Sequence, residues 1–436
     1  MNPEIEDSAA QSLGSRLRGL LVSPAMRQRV IGPMGFDASV LALNLITGIA
    51  IARALGPSGR GEIAAILLLT QMAGWLFSVG STEAVSYRLA RNPSDGGRLI
   101  SSWGLLTLLF SLVAIAVVEL VLPIIFGAQT AATIELARIY ILVVTLMIAL
   151  SVVNGILLGD HDFLLYNLVR IVTPAWVAVA YIVFWASGGL SVELALTINA
   201  TAFGAACLLG IVRSVRRHGL DPPSRSLLRE TLWYGLRAHG GSVAGLVNAR
   251  LDLLIVPAFF GAASVGLYSV ATNVGGIIGT LTGTIALLVL PVAARRQGNS
   301  ARTVIRTMHV VLLIGLAAAV PLMALADIAL RFVYGDDFGA AATSLRILLP
   351  GEVLDAAAMV LWSGLLAANR PFLSSIAAAP AAVVTVAGLV LFLESGGIEA
   401  AAIVSTTAYT LVFLISIFLY RHVAELRWRD FVHPPA

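Results

Sequence analysis

Arg250 and Asp252 stand two residues apart near the middle of an otherwise apolar stretch. A charge at the centre of a bilayer costs about 2.5–3.5 kcal/mol even on insertion scales, so charges kept at such depth are candidates for chemistry. Arginine presents a planar fork of N–H donors that matches phosphate oxygens. Carboxylates at the same depth can hold a coupling cation or pass protons. The other arginines inside apolar runs are Arg138, Arg170 and Arg237, and the acids are Glu83, Asp252, Glu352 and Asp355. Arg138 and Arg237 lie about five residues from an end of their runs and can snorkel to the interface. Arg170 lies about seven residues in, roughly 10 Å at the helical rise, near the limit of snorkelling. Arg250 is nearly ten residues from the outer end of its run and cannot reach water along lipid. It must face a wet cavity or a partner. Asp252 is not that partner, because residues two apart on a helix do not face each other. A salt bridge to another helix and a cavity-facing position both remain open for this pair. Arg250, Arg170 and Arg237 form the candidate anion-binding surface. Asp252, Glu83, Glu352 and Asp355 are the candidate coupling or gating acids. Glu352 and Asp355, three apart, share one helix face, external water being the alternative for both, and the cytoplasm being the alternative for Glu83.

Other chemistry is missing from the pattern. Asp160-His161-Asp162 has metal-ligand residue types but sits in a tight turn without further ligands, so no metal site is expected. All 28 basic residues are arginine; without lysine there is no GxxxxGK[ST] phosphate loop, and neither GxSxG nor HExxH occurs. Catalytic residues and cofactors are therefore not expected. The single Cys207 excludes an intramolecular disulfide. Asn44, Asn154, Asn199, Asn248 and Asn273 read as hydrogen-bonding groups between helices, with sugar ligation as the alternative.

The elements that must position these residues follow from composition. Hydrophobic residues make up 58% of 436 and charged residues 12%, with formal charge +4; mean hydropathy is +0.91. No water-soluble fold of this size hides so much apolar surface, which excludes a secreted protein and a soluble enzyme. Apolar runs of spanning length recur near 36–54, 63–86, 100–124, 134–157, 163–186, 191–212, 232–259, 266–291, 304–326, 341–366, 372–393 and 398–420, twelve in all. Backbone groups in lipid need partners within their own segment, so these runs are helices. With the N-terminus inside, twenty arginines fall on the inner side and only Arg53, Arg60, Arg331 and Arg346 on the outer. That asymmetry, with an even number of spans, places both termini in the cytoplasm. The basic loops then meet anionic lipid headgroups rather than nucleic acid. Residues 1–34 read as a basic segment on the membrane surface and not as a signal peptide. Residues 35–213 and 232–421 read as two six-helix lobes, joined by a basic linker over 214–231 and followed by a tail over 422–436.

The two lobes repeat one another. Gly56 and Gly61 match Gly261 and Gly266 at an offset of 205, Phe126-Gly127 matches Tyr334-Gly335 at 208, and Phe163 matches Phe372 at 209. Offsets that drift slowly without jumping are the trace of a duplicated unit. Six spans per unit give both the same orientation, hence a pseudo-two-fold axis along the membrane normal. Gly275, Gly279 and Gly283, and the pair Gly241 and Gly245, read as close-packing helix faces.

The stretch Ala52-Arg53-Ala54-Leu55-Gly56-Pro57-Ser58-Gly59-Arg60-Gly61-Glu62 resembles the signature after the first helix of bacterial polysaccharide-biosynthesis flippases. These belong to the multidrug/oligosaccharidyl-lipid/polysaccharide exporter superfamily. Gly80-Ser81-Thr82-Glu83, and Arg250, Asp252, Gly261, Val265-Gly266-Leu267-Tyr268 and Ala271, resemble the family's patterns in the second and the seventh-to-eighth helices. The resemblance covers about residues 35–420. It implies an all-α integral membrane protein of about twelve transmembrane helices in two lobes around a central cavity. It also implies translocation of undecaprenyl-diphosphate-linked oligosaccharide units, with the arginines meeting the diphosphate. A polysaccharide polymerase and glycosyltransferases are the partners it would bring, besides the membrane lipids. The alternatives are a cation-coupled multidrug antiporter of the same superfamily and a membrane polysaccharide polymerase or ligase. The short outer connections speak against the last.

Overall fold

The computed structural model describes residues 32–295, 300–370 and 372–432, so almost all of the basic N-terminal segment lies outside it. The side-chain surroundings of Gly241, Gly245, Asn248 and Gly283 also fall outside the described residues. Every described element is helical. The first half comprises α1 (Gly32–Phe77), α2 (Ser81–Arg91), α3 (Gly96–Ile125), α4 (Ala131–Tyr140), α5 (Val144–Gly159), α6 (Phe163–Ala186) and α7 (Val192–His218). The second comprises α8 (Arg225–Phe259), α9 (Ala262–Arg295), α10 (Ser300–Tyr334), α11 (Ala342–Ala367) and α12 (Phe372–Val423), with a short α13 (Trp428–Val432) after it. α8 thus begins within the stretch read as linker.

Among the described residues, eight stretches are long and apolar enough to cross a membrane. Two of them are double: α1 is broken at Gly56 (φ 64°, ψ −171°) and α12 at Gly397. Counting each side of both breaks and adding α8 and α11 gives twelve crossings. Gly56 takes the left-handed conformation that a side chain resists, and Pro57, with φ preset for a helix start, opens the next segment. The second crossing is interrupted again at Val79-Gly80, where Gly80 (φ 66°) leads into α2. Turns between the other helices carry side-chain caps: the hydroxyls of Thr130, Ser191 and Ser224 and the carboxylate of Asp162 accept from free N–H groups of α4, α7, α8 and α6. Long apolar side chains face outward, Leu120 at 78% and Phe332 at 79% exposure among them, as lipid requires.

The repeat is visible where the halves meet. A Cβ on Gly61 would fall 1.7 Å from the Ala262 carbonyl oxygen, and one on Gly266 would fall 1.9 Å from the Pro57 oxygen. Ala262 and Gly266 are the offset-205 counterparts of Pro57 and Gly61, so the contact is reciprocal, as at a two-fold axis. Beside it, Arg53 Nε donates to the Val333 carbonyl at 2.8 Å and its terminal nitrogen to that of Phe332. The Gln129 amide donates to the carbonyls of Pro257 (3.0 Å) and Phe260 (2.7 Å). One apolar cluster runs through this seam, from Leu69, Phe126 and Ile141 to Leu253, Tyr268 and Leu345.

α8 belongs to both halves. Its start lies on the first: Arg88 bridges Asp95 (2.8 Å) and Glu230 (2.9 Å), Trp103 Nε1 donates to Thr231 Oγ1 (3.2 Å), and the Tyr87 and Tyr234 rings stack at 4.4 Å. Gly80 and Gly235 approach so closely that a Cβ on either would meet the other's chain. Its end packs with α12 of the second half.

Candidate functional site

The C-terminal part of α8 carries Arg250 and Asp252 into different surroundings. Asp252 is 4% exposed. Its carboxylate accepts from Tyr268 Oη of α9 at 2.6 Å and from Ser405 Oγ of α12 at 2.9 Å. The buried carboxylate is thus held by two hydroxyl donors, with no ion pair among the described residues. Arg250 is exposed and forms no hydrogen bond or ion pair among the described residues, yet it lies in electrostatic range of Glu352 and Tyr409. It therefore stands within electrostatic range of the acids of the second half.

Glu352 and Asp355 come from α11 and interact electrostatically with each other and, through Glu352, with Asp252. Their neighbourhood explains the glycine face of α9. A Cβ on Gly275 would lie 3.4 Å from Glu352 Cγ, and one on Gly279 would lie 3.3 Å from Glu352 Oε2. At these two positions the face read as helix packing houses a carboxylate. Four helices, α8, α9, α11 and α12, thus bring together three of the four candidate acids and one of the three candidate arginines. Among the described residues no three acid or histidine side chains converge as ligands of one metal ion.

The remaining candidates lie elsewhere. Glu83 is exposed in the first turn of α2, where a carboxylate favours the positive helix end. Arg170 is exposed on α6 with its guanidinium 5.5 Å over the Tyr166 ring, one turn toward the start of the helix. Arg237 is exposed on the start of α8, thirteen residues from Arg250, about 20 Å along the helix. Arg237 and Arg250 are therefore too far apart along α8 to clamp one diphosphate between them. Arg138 pairs with Glu119 at 3.2 Å, and the Asp160–Asp162 turn with His218, Arg217 and Arg213. Asn199 donates to Tyr181 Oη and to the Ala195 carbonyl, as a group tying helices together does.

Ser405 and Tyr409 escaped the reading of charges. Their signal was the polar run Ser405-Thr406-Thr407-Ala408-Tyr409-Thr410 inside the last apolar stretch. Tyr268→Phe is expected to cost about 1.5–3 kcal/mol of stability by removing the shortest donor to a buried carboxylate. Chemical unfolding of the purified protein, compared with wild type, measures it; an unchanged midpoint would show that the Tyr268 hydroxyl does not hold the Asp252 carboxylate as described.

Three comparisons bear on what such a site serves. Residues 50–343 match the family described as "Polysaccharide biosynthesis protein". The chain is 25% identical over 379 residues to the probable low-salt glycan biosynthesis flippase Agl15 of Haloferax volcanii, covering 85% of this chain and 77% of that one. In fold it is similar to the lipid II flippase MurJ in an inward closed conformation, with a TM-score of 0.76 at 16% identity over 92% of this chain and 89% of that one. It is also similar to an inward-facing multidrug resistance MATE transporter, with a TM-score of 0.71 at 18% identity over 89% of this chain and 96% of that one. The fold is that of two-lobed membrane transporters, and with more than half of its length matched the chain belongs to the polysaccharide biosynthesis protein family.

Proposed function

We propose that this chain is a flippase that moves a polyprenyl-diphosphate-linked oligosaccharide from the cytoplasmic to the outer leaflet of the plasma membrane. It does so by alternating access of two lobes, residues 35–213 and 232–421, with both termini inside. The observation that carries this reading is Arg250, whose guanidinium makes no ion pair among the described residues and which stands near the middle of an apolar run in a chain of this family. A diphosphate cannot enter an apolar lumen unaccompanied, and an arginine fork offsets its desolvation. Arg237, Arg250 and Arg170 would serve it in turn at different depths, while the glycan travels in the cavity and the prenyl tail stays in lipid. The seam formed by Arg53, Gln129 and the paired glycines supports reading this conformation as one shut on the outside.

Asp252, Glu352 and Asp355 would couple the cycle by exchanging a proton or cation beside Arg250, so that the substrate anion and the carboxylates freed of their cation compete for one guanidinium. Glu83 would act apart from them, at the inner break before α2. No covalent step is involved. A polymerase and glycosyltransferases would act before and after it on the same carrier lipid. One observation favours the rival reading, a cation-coupled multidrug antiporter: three acids gather around a single arginine. The test is reconstitution in vesicles with a lipid-linked oligosaccharide whose sugar is scored for accessibility to an external lectin or glycosidase. Protein-dependent exposure bears the proposal out. Efflux of cationic dyes without sugar exposure would replace it with the rival.

A further inference from the structure

The start of α6 and the end of α7 leave a groove between them. Its volume is about 350 Å³, within the range of about 300–1,000 Å³ of clefts that take small ligands. The floor is apolar: Leu164, Leu165 and Leu168 come from the first two turns of α6, and Leu209 and Val212 from the C-terminal half of α7. Arg213 and Arg216 complete the lining from α7. With Leu209 and Val212 they stand at i, i+3, i+4 and i+7, so one face of that helix is apolar toward its middle and cationic toward its end.

Three arginines crowd the end of α7, and their partners separate them. Arg217 is turned to Asp160 at 3.3 Å and takes no part in the groove. Arg213 pairs with Asp162 at 3.1 Å through one terminal nitrogen. Asp162 also caps α6, accepting from the Leu165 N–H at 3.3 Å, so a carboxylate fixed to one helix holds the guanidinium of the other at the head of the groove. The other N–H donors of Arg213 enter no hydrogen bond among the described residues, and Arg216 enters neither hydrogen bond nor ion pair there. Two guanidinium groups against one carboxylate leave the head of the groove positive.

The occupant follows from this division and from where the groove opens. All of its lining comes from α6, α7 and the turn before α6, and the helices that these pack against, α1, α3, α4 and α5, belong to the first half. The groove therefore lies on the wall of one lobe and not between two, away from anything carried between them. Beside it Leu164 is 78% and Leu208 64% exposed, apolar surface that hydrocarbon covers favourably. A molecule with a phosphate at one end and acyl chains at the other matches both parts: the arginine forks donate to phosphate oxygens, and the chains lie along the leucines.

We infer that this groove holds one anionic phospholipid, its phosphate between Arg213 and Arg216 and its chains along Leu164, Leu168, Leu209 and Val212. The lipid belongs to the leaflet that meets the start of α6 and the end of α7, the cytoplasmic one by the arginine count. Through Arg213 and Asp162 it clasps the two helices together.

The experiment uses the full-length protein in micelles of uncharged detergent, titrated with phosphatidylglycerol, phosphatidylcholine or farnesyl diphosphate, with retained molecules counted by native mass spectrometry. One phosphatidylglycerol is expected to stay bound in preference to phosphatidylcholine. Arg216→Gln should weaken its retention about fivefold, and Arg213→Gln combined with Arg216→Gln about twenty-five-fold, at roughly a fivefold loss per arginine. Arg216→Gln breaks no pair, so its melting temperature without added lipid should match wild type. Arg225→Gln, at an exposed arginine on the start of α8 outside the groove, is the control and should retain lipid as wild type does. Leu168→Trp, which keeps both arginines and fills the floor, should weaken retention. Equal losses from Arg225→Gln and Arg216→Gln overturn the site, leaving only a basic surface. Unchanged retention by Leu168→Trp or by the double variant overturns it as well. Tighter retention of farnesyl diphosphate than of phosphatidylglycerol overturns the phospholipid and gives the groove to a diphosphate lipid.

Discussion

A single methyl group at Gly61 or Gly266 is expected to break the outer seam. The added carbon would fall 1.7 Å from the Ala262 carbonyl oxygen in one case and 1.9 Å from that of Pro57 in the other. Both obstacles are backbone at the start of a helix and cannot rotate away, so the two halves must separate there. Overpacking of this kind costs about 3 kcal/mol or more. The loss falls on the outward-shut arrangement. Gly61→Ala and Gly266→Ala should therefore lose transport while a cysteine placed at Val265, buried in the seam, becomes open to labelling from outside. Gly104→Ala on α3, with nothing within 4 Å of the added carbon, is the control and should change stability by no more than about 0.5 kcal/mol. Normal transport and an unlabelled Val265→Cys in the Gly61→Ala background would show that the halves do not meet at these glycines.

Arg250→Glu is expected to abolish sugar exposure in vesicles while the protein still accumulates in the membrane. Arg250 makes no ion pair among the described residues, so its loss removes no structural bridge. Loss of one charge-assisted contact to a diphosphate is worth about 1.5–3 kcal/mol, roughly ten- to a hundredfold in rate. Reversal adds repulsion of the anion and a further negative charge beside Glu352. Arg250→Lys, a point charge without the planar fork, should fall between wild type and Arg250→Gln. Full transport by Arg250→Glu removes this residue from the route.

Spans and repeat were legible because hydrophobic length and glycine spacing are local properties of a chain. The offset of 205 that pairs Gly56 with Gly261 also pairs the glycines that touch, so the two-fold relation could be read before the contact was known. The grouping of charges could not. Spacing tells which residues share a face of one helix, as with Glu352 and Asp355, and says nothing of which helix that face meets. Asp252 reached Tyr268 and Ser405 through three separate helices. Gly275 and Gly279 carried the pattern of a packing stripe, and sequence has no sign that distinguishes room for a helix from room for a carboxyl group. Arg216 counts in the sequence as one topological charge among twenty, because pairing, unlike position, is a tertiary fact.

α8 is anchored by its lower turns to one body and by its upper turns to the other. A rod clamped in two blocks that tilt against each other has to flex, slip in one clamp or let go. Two fluorophores, one near each end, would then report the working stroke as a change of curvature, turning the helix into a strain gauge for the machine that contains it.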